Sequence, residues 1–305
     1  MITYIGRRLL WIIPVLFAVS VITFFLMHSV PGGPWDGEKR LPDSVVARLN
    51  AEYGLDQPIY IQYLTWAGDF ITGDFGPSYR YIDRRVNDII GDGLMTTVQL
   101  GVMAFLLSVF VGIPLGIVAA LGHNKWPDYL STSVSIIGIA TPSFVLGIML
   151  IVIFSVNLGW FPTGGWKGPE TWVLPTVALA GFPIAVIARY TRASMLEVTR
   201  KDFIRTAHSK GLQRNSVVSR HMVRNALIPV VTILGPTLAF LVTGSFIIER
   251  IFNIPGVGEF YLSAIATRDY SLLMAMTMLY AFAVAFLNVV VDVLYAYIDP
   301  RIRYS

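Results

Sequence analysis

The 305-residue sequence contains no cysteine, which removes a disulfide framework, a thiolate metal site and a cysteine nucleophile together. For the same reason nothing can be inferred about the redox state of its compartment. Charge is scarce as well. Only 14% of residues are Asp, Glu, Lys or Arg, against about 25% in a soluble protein whose surface must face water. Histidine occurs at His28, His123, His208 and His221, far apart and without H-E-x-x-H spacing, so a metal site is not expected. Gly164-Gly165-Trp166-Lys167-Gly168 lacks the spacing of a phosphate loop, so no nucleotide is expected on this chain by that route.

What is abundant is apolar sequence. Hydrophobic residues make up 55% of the chain, the mean hydropathy is +0.64, and the apolar residues fall in long runs. A helix needs about 20 apolar residues to cross the hydrocarbon of a bilayer. That window predicts an all-α polytopic membrane protein with spans near 9–29, 97–121, 130–156, 172–191, 226–248 and 272–298. The fourth is the weakest, because Pro175, Gly181 and Pro183 interrupt it. The first run, from Leu9 to about Val30, is longer than a signal-peptide core and has no small-x-small cleavage site, so an uncleaved signal anchor is expected.

The net charge of +4 is not spread as a nucleic-acid surface would be. Arg7 and Arg8 precede the first span, Arg301 and Arg303 follow the last, and the loop after span four carries Arg189, Arg192, Arg200, Lys201, Arg205, Lys210, Arg214, Arg220 and Arg224. By the positive-inside rule both termini and this loop lie in the cytosol. The segment 30–95 then lies outside. Its charges are mixed, and Tyr60, Tyr63, Leu64, Trp66, Ala67 and Phe70 recur at helical spacing, which predicts a small external helical cap between spans one and two. The expected organisation is an N-terminus and first span (1–29), the cap (30–95), a core (96–298) containing the basic loop 192–225, and a C-terminal tail (299–305). Asp292 is the main ionisable residue within a span, and its place near the cytosolic end favours a structural role over ion coupling.

Within the basic loop, Phe203, Ala207 and Gly211 stand at i, i+4 and i+8. A topology signal needs charge alone, whereas small residues on one helical face allow another surface to approach closely. Gly211 can end the helix by adopting a positive φ. The segment therefore reads as a docking helix with Phe203, Ala207 and Gly211 on one face, with a basic loop that only fixes topology as the alternative. The segment 249–258 carries Pro255, Gly256 and Gly258, so regular helix cannot run through it; Glu249 and these three residues are candidates for an outer gate or a partner contact, with a plain re-entry turn into span six as the alternative. Thr141, Pro142 and Ser143 in span three are candidates for lining a pathway, since broken backbone at membrane depth usually borders a cavity, with a purely structural proline kink as the alternative.

Arg205-Thr206-Ala207 with Lys210-Gly211, followed by His221, Arg224-Asn225-Ala226-Leu227 and Pro229, resembles the cytosolic loop of ABC-importer permeases. The Glu-Ala-Ala-x-x-x-Gly signature of that family is altered here, with Arg205 at the Glu position and Thr206 at the first Ala, as in its dipeptide and oligopeptide branch. Further matches to that branch are Ile5-Gly6-Arg7-Arg8, Leu55-Asp56-Gln57-Pro58, Gly73-Asp74-Phe75-Gly76-Pro77-Ser78, Thr141-Pro142-Ser143-Phe144, Ile254-Pro255-Gly256-Val257-Gly258, Arg268-Asp269-Tyr270 and Asp299-Pro300-Arg301.

The resemblance implies a type I ABC importer permease fold and a non-catalytic subunit of an oligopeptide importer in the cell (inner) membrane. It implies a homologous second permease, two cytosolic ABC ATPases and an external peptide-binding protein as partners, in a lipid bilayer and without nucleic acid. ATP and Mg would be bound by the ATPases, and this chain would hold no cofactor or metal. The docking helix, from Phe203 through Arg205, Thr206, Ala207, Lys210 and Gly211 to Arg214, becomes the ATPase contact. A dipeptide, nickel or other solute permease of the same branch is the alternative, and an ion-coupled carrier a distant one.

Overall fold

The structure, a computed structural model, describes residues 2–35, 41–81, 83–243 and 246–298, with the backbone alone at 2–4, 292 and 294–298. Lys39, Arg40, Ser245, the Asp292 side chain and the tail 299–305 lie outside the described residues. The architecture is helical. Among the described residues the only extended pairing is an isolated bridge between Pro77 and Arg85.

Among the described residues, five helices are long and apolar enough to cross a membrane. They are α1 (Ile2–Ser29), α4 (Val86–Leu121), α7 (Pro169–Thr199), the continuous stretch Arg214–Val242 and α13 (Tyr270–Ile298). The stretch 214–242 consists of α9 (Arg214–Ser216), a π-helical segment (Val217–Val223) and α10 (Arg224–Val242). A sixth span arises if α5 (Trp126–Ala140) and the helix Ser143–Asn157, α6, count as one, although they meet at 106°. Span three is therefore sharply bent at Thr141, Pro142 and Ser143, where the sequence places a proline within the apolar run. Thr141 precedes a proline, whose ring disfavours the helical region for the residue before it, and it sits at φ −90°, ψ 117°.

The chain divides into two units. The first comprises the residues up to Thr96 together with Pro255–Val289. It contains α1, two short helices, α2 (Asp43–Glu52) and α3 (Ile59–Ile71), and α12 (Val257–Thr267). The expected cap helix over the aromatic spacing is thus α3. Tyr63 and Trp66 pack with Phe24 and Met27 of α1 and Tyr270 and Met274 of α13, while Tyr60 and Leu64 are exposed. A second cluster joins Val86, Ile89 and Ile90 of α4 to Val257 and Ala264 of α12 and to Leu272 and Met276 of α13. Asp269, fully buried, fastens this unit. Its Oδ1 accepts the Leu272 N–H at 3.2 Å, capping the first turn of α13, and its Oδ2 accepts the Ser78 hydroxyl and the Arg80 N–H.

The second unit covers Thr97–Ile254 and the residues from Val290 onward. Its centre is α7, which packs on α5, α6 and α10. The weakest expected span is here the best-buried one: 56% of its apolar window lies inside the protein, against 17% for α1. Each proline forfeits one backbone hydrogen bond, but neighbouring helices on several sides make that tolerable. What brings them close is small side chains. Ala178, Ala180, Ala185 and Ala188 are buried, and a methyl group added at Gly116 of α4 would stand 2.5 Å from the Ala188 carbonyl oxygen and from Thr191 Cβ. Gly112, one turn earlier, would meet Ile187 at 2.9 Å. This G-x-x-x-G pair lets α4 and α7 touch backbone to side chain.

Gly116→Val should therefore lower the thermal unfolding midpoint of the purified protein by the equivalent of about 2 kcal/mol, the usual cost of overpacking. Gly6→Ala, with nothing within 4 Å of the added carbon, should leave it unchanged.

Candidate docking site

After α7 ends at Thr199, the chain turns through Arg200 and Lys201 into α8 (Asp202–Ser209). Asp202 in the first turn and His208 in the last suit the helix dipole. Ile204 and Ala207, three residues apart on one face, are 3% and 5% exposed. They pack with Met195 and Val198 of α7, with Val217 and Met222 of the π-helical segment, and with Ala120 and Ala226. The other α8 side chains are exposed, Phe203 among them at 43%.

The helix closes as its sequence predicts. Gly211 adopts φ +75°, its N–H donates to the His208 carbonyl at 2.9 Å, and the Leu212 N–H donates to the Ala207 carbonyl at 3.3 Å. These two bonds form a Schellman cap, which favours glycine at the left-handed position. Leu212, just beyond, is 39% exposed.

The expected face of α8 needs correction. Phe203, Ala207 and Gly211 do not form one outward surface, because Ala207 is turned into the protein's own core. Ile204, larger and three residues away, decides which side is buried, and Ala207 follows it. The outward surface carries Phe203, Thr206, Lys210 and Gly211, with Arg205 and Arg214 also exposed. Arg205 lies 3.8 Å from Asp202, both well exposed, so that pair adds little stability.

Below α8 lies a polar contact that the sequence reading missed. Arg192 of α7 grips Asp128 of α5 with two parallel bonds, Nε to Oδ1 and Nη2 to Oδ2, the latter at 2.8 Å. Asp128 is buried. It also accepts the Asn124 N–H at 2.9 Å and lies 3.2 Å from His123 Nδ1. Arg192 had been read only as one of many topology charges. The available signal was Pro127-Asp128 opening a helix, with Arg192 directly after the apolar run of span four as a candidate partner.

The outer candidates are divided between the units. Glu249, in α11 (Phe246–Ile251), belongs to the second unit and is fully buried, so it presents no carboxylate at the surface of this chain. Pro255, Gly256 and Gly258 belong to the first; Pro255 is exposed and both glycines are buried. A methyl on Gly93 of α4 would stand 2.9 Å from the Gly256 carbonyl carbon, so α4 is pressed against this turn. Thr141 and Ser143 are half-buried and Pro142 is exposed at the α5–α6 break. Among the described residues no group of three His, Cys, Asp or Glu side chains could hold a metal ion.

Residues 112–304 match the family model described as binding-protein-dependent transport system inner membrane component, and residues 1–101 match the N-terminal model of the same systems. The chain belongs to this family of transport permeases. It is 42% identical over 306 residues, covering all of both chains, to the oligopeptide transport system permease protein OppB of Haemophilus influenzae. The OppB protein of Escherichia coli is 43% identical over 307 residues, again covering both chains fully. The dipeptide transport system permease protein DppB of Bacillus subtilis is 41% identical over 300 residues, 98% of this chain and 97% of that one. Among solved structures, an inward-facing form of the MetNI methionine ABC transporter aligns with a TM-score of 0.58 at 16% identity, over 69% of this permease and 96% of that chain. The fold is that of a type I ABC importer permease, and the protein is a multi-pass membrane protein.

Removing one partner of a buried ion pair costs about 3 kcal/mol, because the other charge is left unpaired. Asp128→Ala and Arg192→Met should each lower the unfolding midpoint of the detergent-solubilised permease markedly. The double variant should lose less than the sum of the two in the same melting experiment.

Proposed function

We propose that this permease is one of two membrane subunits of an ATP-driven oligopeptide importer, and that α8 is the element on which a cytosolic ATPase acts. The observation that carries the reading is the division of α8 into a buried underside and an exposed apolar-and-basic top, closed by Gly211 at φ +75°. Full-length identity of 42% to an oligopeptide permease supports the cargo. The clustering of Lys and Arg in the loop supports a cytosolic position for it and for both termini.

On this reading a homologous permease completes the pathway, two ATPases bind ATP and Mg, and an external binding protein delivers the peptide. This chain holds no cofactor and catalyses nothing. Closure of the ATPase pair displaces α8. The displacement passes through Ile204 and Ala207 to Met195 and Val198 of α7, and from α7 through the Arg192–Asp128 pair to α5. Phe203 and Thr206 sit against the ATPase, with Arg205, Lys210 and Arg214 making polar contacts around them. The α5–α6 break at Thr141, Pro142 and Ser143 borders the pathway, and the turn at Pro255, Gly256 and Gly258 acts at the outer gate. Dipeptides are the second reading of the cargo, favoured by 41% identity to a dipeptide permease.

Phe203→Ala removes an exposed ring and should leave the melting temperature of the isolated permease unchanged. In proteoliposomes containing the complete transporter it should reduce ATP-driven peptide uptake at least ten-fold. Uptake at the wild-type rate would rule out the docking assignment.

A further inference from the structure

In the first unit, α2, α3 and the segment 74–79 surround a cleft of about 420 Å³ together with the end of α1 and the start of α13, a volume typical of small-ligand sites. Three features of its wall point the same way. The first is aromatic: Tyr53, Trp66, Phe75 and Tyr79 line it. Tyr53 and Tyr79 meet edge to face at 4.8 Å between centroids, and Trp66 stacks on Phe70 at 5.3 Å, so the rings hold one another in place.

The second feature is charge of one sign. Glu52, Asp69 and Asp74 line the cleft; among the described lining residues none is Lys or Arg, and His28, held between the Phe24 carbonyl and Gln62 Oε1, lies at its wall. Asp74 is already matched by Arg85. Glu52 and Asp69 are exposed, and neither has a basic partner among the described residues. The third is the potential felt by the tyrosines. Burial first pushes the Tyr79 phenol up to about 12, against a hydrogen bond with Ser271, and the Asp269 charge adds to the rise. Tyr53 is raised by burial and then by Glu52, Asp269 and Asp83. Aromatic rings beside carboxylates that have no basic partner attract a cation and repel an anion.

We propose that this cleft binds a primary ammonium or guanidinium group on a flexible chain, namely the side chain of a lysine or arginine in a short basic peptide. The alkyl stem lies along Trp66 and Phe75, and the charged head meets Glu52 and Asp69. The site lies apart from α8 and does not depend on which solute is transported.

The test is calorimetric binding to the full chain in nanodiscs of zwitterionic lipid, without any partner protein. The probe is a tripeptide of lysines with both termini blocked, compared with the same peptide acetylated on every side chain. Saturable binding of the basic peptide, at least ten-fold weaker for the acetylated one, is expected. Glu52→Gln combined with Asp69→Asn should weaken the basic peptide at least ten-fold without changing the melting temperature, and Trp66→Leu should weaken it as well. Should the double variant not fold, Asp69→Asn alone, exposed on α3, carries the comparison. Equal affinity for the two peptides, no detectable binding, or unchanged affinity in the variants overturns the proposal.

Discussion

Helices already in a bilayer gain nothing further by leaving water, so what holds them together is close contact, and in the second unit of this permease that contact centres on α7. Its buried alanines let α5, α6 and α10 approach, and Gly112 and Gly116 bring α4 within reach of its side chains. Two prolines inside α7 weaken its own hydrogen bonding, yet the packing on several sides keeps it a single 31-residue helix. Other features of the second unit are attached to it. The Asp128 carboxylate is held by Arg192 of α7, and α8 follows its end and rests on Met195 and Val198.

That attachment explains why α8 is more than an exposed basic loop. A helix of eight residues is marginal alone in water. Ile204 and Ala207 supply the tertiary contact that stabilises it, and the Schellman bonds at Gly211 fix where it stops. The same two residues pack α8 against Met195 and Val198 near the end of α7, so the short turn between the two helices is not their only connection.

Much of this was legible in the sequence, and the failures have physical causes. Long apolar runs located the spans, Lys and Arg clustering singled out the loop, and Gly211 marked the end of its helix, because each of these signals is local. The strength of α7 was misjudged because Pro175 and Pro183 are local penalties, whereas the packing that outweighs them is set by other helices. The seated face of α8 was misjudged because small residues were given more weight than Ile204, whose burial decides the orientation. Asp128 and Arg192 lie 64 positions apart, beyond any periodicity, and each alone looks like an ordinary interfacial charge. In the first unit the aromatic spacing gave α3, but the carboxylates and rings of the cleft come from segments far apart in sequence.

The central claim is that α8 presents Phe203 to a partner while Ala207 faces its own chain. The lack of native cysteine permits a direct measurement, in which a single cysteine is placed at either position and cross-linked to the co-purified ATPase subunit in the assembled transporter. Phe203→Cys should form the inter-subunit product in high yield and Ala207→Cys little or none. Efficient cross-linking from position 207 with none from position 203 would contradict the account.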